Sequence, residues 1–231
     1  MNSLKRFQWV PVRVKKTRQN KNIERDRDSI RWDCAPISQY DAAQYSDGKL
    51  PDYADRAGLA TILTMIARAA GHDNAPTIDH LFDPAKGADW HGVGWQNPVA
   101  DKVTFATGPQ ASEPSATTAL PLDGTTDLGA LLGHGPVVLA GTGGASWLLA
   151  TVRTEDGIVA NDPVTGLRVL LAYSPETKAV GPINRILDPG GTKWIMLSDA
   201  AKASIASVDD AKVAALQTFA AEKYFAVTVV K

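Results

Sequence analysis

Ser146-Trp147-Leu148-Leu149-Ala150-Thr151-Val152-Arg153-Thr154-Glu155-Asp156-Gly157-Ile158-Val159-Ala160-Asn161-Asp162-Pro163 reads as two β-strands joined by a tight turn. The strand-like runs are 146–153 and 157–160, apolar and β-branched, and Glu155-Asp156-Gly157 supplies the turn chemistry between them. A second punctuation mark, Pro163-Val164-Thr165-Gly166, closes the pair and predicts a further antiparallel strand over 167–173.

Outward from this pair, residues 137–140 and 193–197 also read as strands. Upstream, Leu59, Ile62, Leu63 and Ile66 recur at helical spacing, and Gly71 is a stop, so a helix is expected over 55–70. Residues 83–121 are rich in Gly, Pro, Ser and Thr and predict loop around a short strand near 102–106. A short helix over 127–132, capped by Thr126 or Asp127, precedes Gly135-Pro136. Toward the end, a helix is expected over 208–222, with Ser207 and Asp210 as a capping box, then a strand over 224–230. Helices combined with successive antiparallel strands give an α+β fold. The expected division is an arm, 1–31, a body, 32–198, and a C-terminal helix-strand extension, 199–231.

Composition narrows the functional classes. The chain of 231 residues is long enough for one domain with a real core, and 44% apolar content is that of a globular protein. A formal net charge of −1 supplies no global field toward nucleic acid or membrane. A single cysteine, Cys34, excludes an internal disulfide framework and a Cys-rich zinc site. No apolar core follows Met1, so no secretory signal is read there, and cytoplasmic synthesis without a membrane partner is the expectation.

Charge is concentrated at one end. Residues 1–31 hold ten Lys or Arg against three acids, a balance of +7, which leaves 14 basic and 22 acidic groups for the remaining 200 residues. Phe7 and Trp9, then Val10, Val12 and Val14, alternate as an extended segment does. The expected role is attachment to an acidic protein surface through Phe7, Trp9, Arg13, Lys15, Lys16 and Arg18. Nucleic-acid binding through the same basic and aromatic residues is the alternative, although no nucleic-acid motif accompanies them.

The chemistry-bearing motifs are sparse. Gly141-Thr142-Gly143-Gly144 lacks the Lys-Ser/Thr of a phosphate loop and precedes a strand, so it reads as a glycine turn. His72, His80, His91 and His134 show no metal-ligand spacing, and neither metal nor cofactor is expected. His91 lies in Trp90-His91-Gly92-Val93-Gly94-Trp95, a loop packed over the core or lining a pocket. Cys34 is followed by Ala35-Pro36 and an extended stretch, so no helix N-terminus lowers its pKa; it reads as a small buried apolar residue.

Three segments together resemble the C39-like papain-fold cysteine peptidases. Ala35-Pro36-Ile37-Ser38-Gln39-Tyr40 is similar to the strand ending in the glutamine of the oxyanion hole. Tyr53-Ala54-Asp55-Arg56-Ala57-Gly58-Leu59-Ala60-Thr61-Ile62-Leu63 is similar to the start of the helix that carries the nucleophile. The run from Gly144 through Asn161-Asp162-Pro163 is similar to the histidine-bearing strand, its turn and the orienting acid. The resemblance covers roughly 32–198 and implies a papain-like fold with Ala54 facing Ser146.

Two departures follow within that resemblance. Ala54 stands at the cysteine position and Ser146 at the histidine position, while Gln39 and Asp162 remain. A thiolate and an imidazole are both required for the chemistry, so the resemblance implies a non-catalytic relative. Its expected role is a structural or binding part of a larger assembly; fold-level analogy suggests a phage tail, virion or contractile injection apparatus. The enzymatic alternative is a cysteine peptidase or amidase that uses Cys34 with His91 or His134.

Overall fold

A computed structural model describes residues 32, 34–70, 77–82, 103–106, 119–142, 146–200 and 210–229. The helices are α1 Gly58–Ala69, α2 Ile78–Leu81, α3 Leu128–His134, α4 Leu197–Ala200 and α5 Asp210–Gln217. The strands are β1 Val103–Ala106, β2 Leu120–Pro121, β3 Val137–Gly141, β4 Trp147–Thr154, β5 Gly157–Asp162, β6 Leu167–Tyr173, β7 Val180–Leu187, β8 Trp194–Met196 and β9 Ala221–Val229. All nine form one sheet in the order β1-β9-β3-β4-β5-β6-β7-β8, with β2 also against β9, and every pairing is antiparallel. The fold class is therefore α+β. The residues proposed for attachment, Phe7, Trp9, Arg13, Lys15, Lys16 and Arg18, lie outside the described residues, as do His72 and His91.

The pleat sorts the core into two layers, because successive side chains point to opposite faces. Val138, Ala140, Trp147, Leu149, Phe225 and Val227 face the layer that contains α1. Val137, Leu139, Leu148, Ala150, Ile158 and Ala160 face the other, where α3, α4 and α5 place Leu128, Leu132, Leu197, Val213 and Leu216. α1 is buried from Gly58 through Ala67, with Leu59, Ile62, Leu63, Met65 and Ile66 almost wholly withdrawn from water. Each such side chain contributes about 1.5–3 kcal/mol relative to an exposed one. Its two buried hydroxyls stay satisfied because Thr61 Oγ1 donates to the Ala57 carbonyl and Thr64 Oγ1 to that of Ala60, at 2.8 and 2.9 Å.

Several boundaries differ from the sequence expectation. The helix expected over 55–70 begins with a separate 3-10 turn, Ala54–Arg56, closed by Ala57 N–H on the Ala54 carbonyl at 3.2 Å. The helix expected over 208–222 ends at Gln217, because Phe219 packs into the core and Ala221 already pairs with Gly141 of β3. That pairing also corrects the division of the chain. Residues 221–229 lie between β1 and β3 within the sheet and bury Phe225 against α1, so this last strand belongs to the body and is not an extension. β7 is not among the strands expected from the sequence, where Gly181-Pro182 has the composition of a turn. In the sheet, Pro182 is exposed, and register shifts opposite Leu171 absorb the irregularity.

The β4–β5 turn depends on one glycine. Gly157 has φ +142°, and a Cβ there would run into the Leu171 carbonyl oxygen of β6.

Candidate functional site

Residues 34–39 form an extended strap that crosses the ends of β4 and β5. Trp32 starts it, donating from its backbone to the Thr151 carbonyl at 3.4 Å and from Nε1 to the Leu132 carbonyl at 3.0 Å. Asn161 Nδ2 then donates to the Cys34 carbonyl at 2.8 Å, Ser38 Oγ to the Val164 carbonyl at 3.1 Å, and Gln39 N–H to the Pro163 carbonyl at 2.8 Å. Gly166, at φ +68°, leaves room for the strap: a Cβ would sit 2.9 Å from Ser38 Cβ.

The strap ends where α1 begins. Gln39 is 2% exposed, and its carbonyl accepts from Tyr45 Oη at 2.6 Å. Burial, with the charge fields of Tyr53 and Asp79 behind it, pushes the Tyr45 phenol well above its ordinary range, so it is a neutral donor. Tyr53 stacks on Phe82 at 4.3 Å beside it, and Ala54 is buried in the same core layer. From the Cβ position of Gly58, Gln39 Oε1 is 3.3 Å away, Trp147 Cδ1 3.4 Å and Pro163 Cγ 3.8 Å. Gln39, the first turn of α1, the start of β4 and the Asn161-Asp162-Pro163 turn therefore converge at one corner.

The expected facing of Ala54 and Ser146 is corrected by the pleat of β4. Ser146 Cβ lies 3.4 Å from the Cβ position of Gly141, which itself adjoins the Phe219 ring of the opposite core layer. Trp147 is the residue that β4 turns toward α1, where it stacks on Phe225 at 6.0 Å. Trp147 and Gly58 were thus missed as site residues. The run from Trp147 to Ala150 is apolar on both faces, so it offers no alternation from which to read the pleat.

Asp162 is fully committed to its own turn. Its Oδ1 accepts from Val164 N–H at 3.1 Å, and its Oδ2 accepts from Thr165 N–H and Oγ1 at 3.0 and 2.6 Å. Burial holds its carboxyl above the usual carboxylate range, although these bonds and the Lys212 charge pull the other way. Cys34 is 1% exposed, and the described histidines, His80 and His134, are both exposed. Among the described residues no group of His, Cys, Asp and Glu has the arrangement of a metal site, and no helix is long and apolar enough to cross a membrane. Comparison with family models, curated proteins and solved structures finds no match to the chain.

Proposed function

We propose that the chain is a non-catalytic papain-like domain that acts as a structural or binding component of a larger assembly. The observation that carries this reading is the filled corner at the start of α1. Gln39, which on the resemblance would be the oxyanion donor, packs with Trp147 and Pro163 around Gly58 and leaves little room at that corner for a thiolate–imidazole pair. Ala54 supplies no nucleophile, Ser146 is exposed with its Cβ beside Gly141, and the Asp162 carboxylate orients its own turn in place of a base. A corner packed in this way is suited to holding shape. The competing hydrolase reading needs a reactive Cys34, whose environment is apolar and closed to solvent.

Isolation from its source under non-denaturing conditions tests the reading. The expected result is a particle larger than one chain, without thiol-dependent hydrolase activity, in which Cys34 reacts with iodoacetamide only after unfolding. Recovery as a lone chain whose hydrolysis is abolished by the thiol reagent rejects it.

A further inference from the structure

We draw no further inference here: the strongest candidate, the edge of the sheet at β8 with Met196 49% exposed, carries nothing, because Trp194 and Ile195 beside it already pack against the core and nothing in the structure shows what covers that edge.

Discussion

The side-chain amide of Asn161 donates to the backbone carbonyl of Cys34 across 2.8 Å, joining the strap to β5 at a point with no access to solvent. Its other polar atom, Oδ1, is buried without a partner, so at this residue the strap is held by the single donor Nδ2. Asn161→Asp should remove that donor and set a carboxylate against the carbonyl, at a cost of about 3 kcal/mol or more at neutral pH. Below ~pH 5 the new carboxyl can protonate and donate in turn. Urea unfolding should therefore show a deficit that shrinks as pH falls; a deficit independent of pH would mean the amide is not the donor that matters.

Much of this corner was legible in sequence, and its failures have physical causes. The Asn161-Asp162-Pro163 turn, the upstream Gln39 and the helical period of Leu59, Ile62, Leu63 and Ile66 all depend on local chemistry, and these elements meet in space. The direction of Ser146 does not follow locally. It depends on the register of β3 against β4 and on the bulge near Thr151, where Ala150 pairs with Ala160 but Val152 with Val159. The place of residues 221–229 between β1 and β3 was hidden for the same reason, since strand order is a long-range property.

The β4–β5 turn gives a sharp test of the sheet. Gly157→Ala must abandon a φ of +142° or push back the Leu171 carbonyl, and neither is open without moving β6. The expected loss exceeds about 3 kcal/mol, read as a large drop in the urea midpoint. Gly48→Ala, also at positive φ but with nothing within 4 Å, should cost only about 1 kcal/mol. Equal losses at the two positions would show that conformation alone, and not contact with β6, sets the penalty.

Asp162 gives a pH dependence with a definite sign. Its carboxyl is raised in the folded state by burial, so the folded chain holds this proton to higher pH than the unfolded chain does. Stability from this group therefore increases as pH falls from neutral toward the unfolded value of ~3.9, by no more than about 1.4 kcal/mol per pH unit. Asp123 and Asp127 act in the opposite sense and a lower window. The Thr125 hydroxyl and the Ala130 N–H, respectively, hold them below the usual range, so their contribution is present above ~3.9 and lost only as pH falls further. Asp162→Ala should cost about 3 kcal/mol by orphaning the Val164 and Thr165 donors. The gap between wild type and variant should widen from pH 7 to pH ~5; a gap that stays constant over that range and narrows only below ~3.9 would show the carboxyl to be lowered by its bonds.

The proposed loss of catalysis predicts that restoring the two family residues does not restore the chemistry. In a Cys34→Ala background, Ala54→Cys and Ser146→His together supply one thiol and one new imidazole. Position 54 lies in the α1 core layer, whereas position 146 directs its Cβ toward Gly141 and Phe219 on the other side of the sheet. The two groups cannot share a proton across β4, and burial of the introduced thiol works against its ionisation. The rate of alkylation by iodoacetamide, followed against pH, should show a midpoint at or above the ordinary ~8.5, with no peptide or amide hydrolysis. A thiolate–imidazole pair at this corner would instead bring the midpoint down by several units, as it does in papain-type sites. That outcome would place residue 146 on the same face as residue 54 and would make the departure from the family a matter of two side chains, with the architecture of the site intact.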